Sequence, residues 1–188
     1  MVFSSLVFLF VFLPIVLILY YISSDKLKNY ILLVCSLFFY AWGEPKYIFL
    51  MIISISVNYV FSINISRNNK TKRMWLIFSL IFNLGILIVF KYTNFLVRII
   101  NSAVNTNWHL PYIPLPLGIS FFTFQIMSYL IDVYRNDAEV QKNIFDLALY
   151  ISLFPKLIVG PIVQYRRVGK QIRNRKHSLN KFALGVER

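Results

Sequence analysis

The sequence predicts an all-α protein: a polytopic transmembrane helix bundle with a re-entrant or broken segment and an interfacial amphipathic helix. Three observations lead there. Of 188 residues, 58% are hydrophobic and only 14% charged, where soluble domains run at about 45–50% and about 25%. The charges are gathered into short stretches, leaving uncharged runs at 1–24, 29–43, 47–66, 74–90 and 99–131. The single cysteine cannot pair within the chain, so a disulfide scaffold is excluded. Disorder is excluded by the apolar content.

A crossing needs about 20 residues at about 1.5 Å each. Runs 1–24, 47–66 and 74–90 each fit one helix. Run 1–24 has no basic residue ahead of its apolar stretch and no small-x-small cleavage site, so it reads as a retained helix rather than a signal peptide. Pro14 is expected to kink it. Run 29–43 is short for a crossing and reads as tilted, broken or interfacial. Run 99–131 is too long for one helix and is split by Pro111, Pro114 and Pro116; its spanning part reads as 115–131.

Between residues 90 and 115 the pattern changes. Phe95, Leu96, Ile99, Ile100, Ala103 and Val104 recur at helical spacing, with Asn94, Arg98, Asn101 and Asn105 opposite. That is an amphipathic helix suited to the interface, with Trp108 and Tyr112 as anchors. The plainer alternative is a tail of the preceding helix. Segment 144–165 is apolar yet holds Asp146, Pro155, Lys156, Gly160 and Pro161. Irregular backbone at membrane depth persists only inside protein or beside water, so this segment is expected to be re-entrant or broken.

The net charge of +13 is uneven. Arg67, Lys70, Lys72 and Arg73 form one cluster; Arg166, Arg167, Lys170, Arg173, Arg175 and Lys176 form another. No soluble domain presents them to nucleic acid, and positive clusters beside spans mark the cytoplasmic side. Residues 166–188 therefore read as a basic cytoplasmic segment. Two crossings between the clusters, 74–90 and 115–131, keep both inside, provided that 144–165 does not cross.

The usual catalytic signatures are missing. His109 and His177 have no Cys or carboxylate at metal-ligand spacing, no Gly-rich phosphate loop occurs, and Cys35 reads as a small core residue. The remaining leads are polar residues in apolar surroundings, which are costly to bury. Asn58 and Asn83 are expected to hydrogen-bond between helices. Gln125, Asp132 and Lys156 balance between that role and a substrate pathway.

Several strings are more specific. Met1-Val-Phe-Ser-Ser5, Phe39-Tyr-Ala-Trp-Gly-Glu-Pro45, Pro116-Leu-Gly-Ile-Ser-Phe-Phe-Thr-Phe-Gln125 leading to Ser128-Tyr-Leu-Ile-Asp-Val-Tyr-Arg135, Phe154-Pro155 and Gly160-Pro-Ile162 together resemble the membrane-bound O-acyltransferase (MBOAT) family. The nearest branch is that of the bacterial alginate O-acetyltransferase membrane subunits. The resemblance implies a multi-pass enzyme of the bacterial inner membrane. It would pass an acyl group from a cytoplasmic donor or acyl carrier to hydroxyls of an exported polysaccharide such as alginate or a similar cell-envelope polymer. Its partners would be the lipid bilayer and extracytoplasmic acyltransferase proteins. The acyl donor is a co-substrate, and no cofactor and no nucleic acid are implied.

Family members are more than twice this length, and their essential His lies downstream of the Gly-Pro-Ile string. Residues 1–188 are thus expected to be the N-terminal part of a single MBOAT-type domain, ending before the catalytic region. Neither His109 nor His177 matches the motif position, so no catalytic residue carries over. The tunnel-wall candidates are Gly118, Ser120, Thr123, Gln125, Asp132 and Lys156. The competing readings are a non-catalytic scaffold of a cell-envelope complex and a transporter; a transporter would favour inverted repeats, and none is found.

Overall fold

The structure is a computed structural model, and it describes residues 5–104, 113–157, 163–173 and Leu184. Among these the regular structure is helical. A π turn, Phe8–Phe12, leads into α1, Leu13–Ile22. Pro14 cannot donate to the carbonyl four residues back, and its ring crowds that carbonyl. The chain widens to a π turn, with the Leu13 N–H on the Phe8 carbonyl, and runs on. Pro14 is accommodated by this wider turn ahead of it.

Helix α2, Lys28–Gly43, is unbroken over 16 residues. A short turn joins it to α3, Ile48–Arg67. Asn68 then makes the next turn, its Oδ1 accepting from the Lys70 N–H at 2.9 Å, and α4 follows over Lys72–Leu87.

The expected separate interfacial helix is not seen. A π turn, Ile88–Tyr92, carries α4 directly into α5, Thr93–Val104, giving one 32-residue apolar helix over Lys72–Ala103. Lys91, Thr93 and Asn94 change the polarity of the chain, but none of them stops a helical backbone as Pro or a left-handed Gly would. The amphipathic pattern is real, with Phe95, Leu96, Ile99 and Ile100 exposed, but it belongs to the continuation. Trp108 and Tyr112 lie outside the described residues.

The span expected at 115–131 is displaced. Helix α6 is Ile119–Tyr134. Gly118 precedes it at φ +74°, a left-handed conformation that keeps Gly118 out of the helix. Asp132, taken as the end of the uncharged run, stays inside it. The helix closes after Tyr134 with Asn136 at φ 60°. The Asn136 N–H bonds the Val133 carbonyl and the Asp137 N–H the Asp132 carbonyl, a Schellman closure with Asn at the left-handed position.

The segment 144–165 is broken as expected. Helix α7, Ile144–Ser152, is N-capped by Asn143 Oδ1 on the Phe145 N–H at 3.0 Å. It stops at Leu153, whose ψ of 114° is not helical. The short α8, Phe154–Leu157, follows, and α9 is Tyr165–Arg173. Gly160 and Pro161 lie outside the described residues.

Apolar residues cover the outside of the bundle as well as filling its core. Helix α3 buries Ser54, Asn58 and Ser62 and exposes Phe49, Ile52, Ile53 and Val60. Phe10, Val34, Trp42 and Ile81 are likewise more than 60% exposed. Apolar outer faces of this extent suit a hydrocarbon surround. Ile48–Arg67 and Lys72–Ala103 are long and apolar enough to cross a membrane, and Phe8–Ile22 and Ile119–Tyr134 are shorter apolar helices. Inside, Ile119, Phe122, Ile126, Tyr129, Leu130 and Val133 of α6 join residues of α2, α3 and α7 in the main core. A second cluster, Phe8, Phe12, Phe39 and Phe154, seats α1 on α2 and α8.

Candidate functional site

The site is built around the break between α7 and α8. In an unbroken helix the Phe154 N–H would bond the Tyr150 carbonyl four residues back. Leu153 still makes that bond, to the Leu149 carbonyl at 3.1 Å; Phe154 does not. Two orphaned backbone groups result, both buried, and each is expensive to leave unpaired. Gln125 Nε2 of α6 donates to the Tyr150 carbonyl at 2.8 Å. The Phe154 N–H donates to Ser36 Oγ of α2 at 3.3 Å. The break is thus held by two side chains from two different helices.

Below it, Tyr129, Tyr150 and Tyr165 pack ring to ring, with centroids 4.9 Å, 5.0 Å and 6.4 Å apart. Tyr150 Oη donates to the Val163 carbonyl at 2.7 Å. The Gln141 N–H donates to Tyr129 Oη at 2.9 Å, and Gln141 Nε2 to Tyr165 Oη at 2.8 Å. This polar aromatic layer holds Val163 and Tyr165, at the start of α9, against α6 and α7.

The return leads back to the end from which α7 departs. Asn29, at the start of α2, donates through Nδ2 to both Asp146 Oδ1 in the first turn of α7 and the Ile172 carbonyl in the last turn of α9, each at 3.1 Å. The segment therefore has a re-entrant course within the bundle. Lys72 Nζ, at the start of α4, lies 5.1 Å from the centre of the Tyr134 ring at the end of α6. Tyr59, in the second half of α3, donates to the Lys142 carbonyl, just before α7, at 2.7 Å. The α3–α4 basic cluster and the described basic residues of α9, Arg166 and Arg167, thus share one end of the bundle.

Three of the six wall candidates converge on this segment. Gly118 packs so tightly on α8 that an added Cβ would lie 2.8 Å from the Leu157 carbonyl oxygen. Gln125 caps Tyr150. Lys156 Nζ lies 5.5 Å from the centre of the Tyr150 ring. Thr123 is buried one turn beyond Gly118, and Ser120 is half-buried beside it. Asp132 lies at the other end of α6, near Arg135, Asp137 and Arg166. Among the described residues, Tyr40 Oη, Thr123 Oγ1, Asp132 Oδ2 and Lys156 Nζ are buried with no hydrogen-bond partner. A cleft of about 260 Å³ opens between α2, α7, α8 and α9, with Lys156 in its wall. No group of three His, Cys, Asp or Glu that could hold a metal ion occurs among the described residues. His109 and His177 lie outside them.

Known proteins supply what the geometry does not. No protein-family profile and no solved structure matches the chain. Curated relatives do. A protein named probable alginate O-acetylase from Pseudomonas syringae pv. tomato is 42% identical over 195 aligned residues, covering 100% of this chain and 38% of the relative. Its namesake from Pseudomonas aeruginosa is 39% identical with the same coverage. A peptidoglycan O-acetyltransferase from Helicobacter pylori is 32% identical, over 99% of this chain and 42% of its own length. The chain is a homologue of the N-terminal part of the alginate O-acetylases. The resemblance to membrane-bound O-acyltransferases carried by its motifs is borne out, and the chain spans about 38% of the length of those O-acetylases.

Within this stretch of an O-acetylase homologue, sequence reasoning missed Ser36, Gln141 and the three tyrosines. Ser36 was traceable in principle. A helix broken ahead of Pro155 must free one carbonyl and one N–H, and a small hydroxyl in a neighbouring apolar helix is a fitting acceptor. The tyrosine layer has no comparable signal, because its three members come from three separate stretches of chain.

Proposed function

We propose that this chain forms the N-terminal membrane portion of an O-acyltransferase, multi-pass in the bacterial inner membrane. That enzyme transfers an acetyl group from a cytoplasmic donor or acyl carrier to hydroxyls of an exported cell-envelope polysaccharide, alginate or a similar polymer, with extracytoplasmic proteins as partners. The observation that carries the reading is 37–42% identity along the whole chain to proteins named alginate O-acetylase. The apolar outer faces support the membrane setting, and the shared basic end supports a cytoplasmic orientation for that end.

In the reaction the acceptor hydroxyl oxygen bonds to the acyl carbon. The bond to the donor's leaving group breaks, and the hydroxyl proton passes to a base. What this chain contributes is a shaped, dry wall. Gly118 brings α6 onto α8, Gln125 and Ser36 hold the break open, and Ser120 and Thr123 offer hydroxyls beside it. Lys156 places an ammonium in the cleft beside the break, and Asp132 a carboxyl toward the basic end. A hydrogen-bonded wall of this kind orients an acyl donor and keeps water from hydrolysing it.

The test is deletion of the coding gene in its host, with O-acetyl ester content measured separately on each exported polysaccharide and on peptidoglycan. Loss of ester from one polymer, with its sugar chain intact and ester restored by the gene in trans, is the expected result and names the acceptor. Unchanged ester on every polymer refutes the proposal.

A further inference from the structure

Lys156 is the group in this bundle with the least reason to be where it is. Its Nζ is buried and has no hydrogen-bond partner, and it lies 5.5 Å from the centre of the Tyr150 ring. The single salt bridge among the described residues is Lys28–Asp25, so no described carboxylate neutralises it. A cation over a tyrosine ring offsets only part of the cost of removing an ammonium from water. The adjoining cleft is otherwise lined mainly by Leu32, Leu149, Leu153, Val168 and Ile172. At about 30 Å³ per water-sized group, its volume of about 260 Å³ holds a phosphate and a short length of hydrocarbon. Its rim is α9, whose Tyr165 and Ile172 are buried while Arg166 and Arg167 are exposed. That is the form of a cationic helix lying at a membrane surface.

We propose that this cleft is a site for an acidic phospholipid. The phosphate sits against Lys156, with the cationic rim of α9 beside it, and the upper part of one acyl chain lies along the leucines. An apolar wall with one unpaired cation is complementary to a phosphate that carries a chain. A soluble anion would gain nothing from Leu32, Leu149 and Leu153. The flexible stem of lysine lets Nζ swing from the Tyr150 ring toward the phosphate without backbone movement. The inference stands on the cleft and the unpaired ammonium, independently of any acyl-transfer role.

The experiment uses the full chain purified in neutral detergent and stripped of lipid. It is titrated with phosphatidylglycerol, phosphatidylcholine and inorganic phosphate, with bound lipid counted by native mass spectrometry. One phosphatidylglycerol should bind at least about fivefold more tightly than phosphatidylcholine, the factor expected for one basic side chain near an anionic headgroup. Inorganic phosphate should neither bind nor compete. Lys156→Met should abolish the preference, and Lys156→Arg should keep it. Lys156→Met should also melt no lower than the parent in lipid-free detergent, since it removes a buried unpaired charge. Leu153→Trp, which fills the cleft and leaves the charge, should reduce phosphatidylglycerol binding. Equal binding of the two lipids, an unchanged preference in Lys156→Met, or equally tight Lys156-dependent binding of inorganic phosphate would overturn the proposal.

Discussion

Gln125→Leu should destabilise the bundle by about 1–3 kcal/mol, the cost of one buried backbone acceptor left unpaired. Leucine is close to glutamine in size, so packing on α6 changes little. What is lost is the 2.8 Å bond from Nε2 to the Tyr150 carbonyl, which α7 cannot replace because its next N–H, on Phe154, is turned to Ser36. Ser36→Ala removes the other cap. Its bond is longer at 3.3 Å, so about 1–2 kcal/mol is expected. With both caps gone, the two orphans could pair with each other by closing the helix, but the Pro155 ring would then crowd the Ile151 carbonyl. The two losses should therefore add to within about 0.5 kcal/mol. In a Pro155→Ala background the helix is free to close, and the double variant should cost less than the sum. The assay is reversible unfolding in mixed dodecyl sulfate and neutral-detergent micelles, read by far-UV circular dichroism. Gln125→Leu within about 0.5 kcal/mol of the parent would refute the capping argument. Strong sub-additivity with Pro155 present would refute the claim that proline holds the break open.

Gly118→Ala should cost about 1–2 kcal/mol for a left-handed alanine and about 1–3 kcal/mol more for the 2.8 Å approach to the Leu157 carbonyl, which overpacks the α6–α8 contact. Gly118→Asn tolerates the left-handed backbone and should retain only the contact cost; the same unfolding assay compares the two. Asn58 and Asn83 exchange buried amide bonds of 3.1 Å and 2.6 Å, and a double-mutant cycle with leucine at both sites should give a coupling near 0.6 kcal/mol and no larger than about 1.7 kcal/mol. Thr123→Val replaces an unpaired buried hydroxyl with a methyl group, so it should leave stability level or raised in the same unfolding assay. Single cysteines placed at Lys70 and Arg167 in a Cys35→Ala chain should show the same accessibility to an impermeant thiol reagent in intact cells, and opposite labelling would contradict the shared basic end.

Most of the helical layout was legible because uncharged runs and prolines act locally. The break in 144–165 follows from Pro155 and the charges around it. The shared basic end follows from the course of the chain between the two positive clusters: α4–α5 runs away from that end and α6 runs back toward it. Asn58 and Asn83, expected to bond between helices, do bond to each other. Boundaries set by charge were less legible. Lys91 did not end α4, and Asp132 did not end α6, because a helix stops when its backbone is obstructed rather than when its polarity changes. Within the candidate site, the small residue at 118 and the amide at 125 were visible as oddities in an apolar run. Their partners, the Leu157 carbonyl and the Tyr150 carbonyl, were not, since nothing in a sequence marks which backbone group a tertiary contact will meet.

The polar groups of this bundle divide by whether they are used. In α3 and α4 they satisfy one another: Asn58 with Asn83, and Ser54, Ser62 and Ser79 within their own helices or with those amides. That arrangement ties two helices together and has no capacity left for a ligand. Around the break, Gln125 and Ser36 are used in the same structural sense, but Tyr40, Thr123 and Lys156 are not, and neither is Asp132 toward the basic end. A polar atom buried without a partner destabilises the fold that contains it, and proteins keep such local violations where function needs them. The four unused atoms sit on α2, on α6 and on α8 within the broken segment, and none lies on α3 or α4. The unpaired buried polar atoms are therefore confined to α2, α6 and α8, while the asparagine-paired helices satisfy their own polar groups.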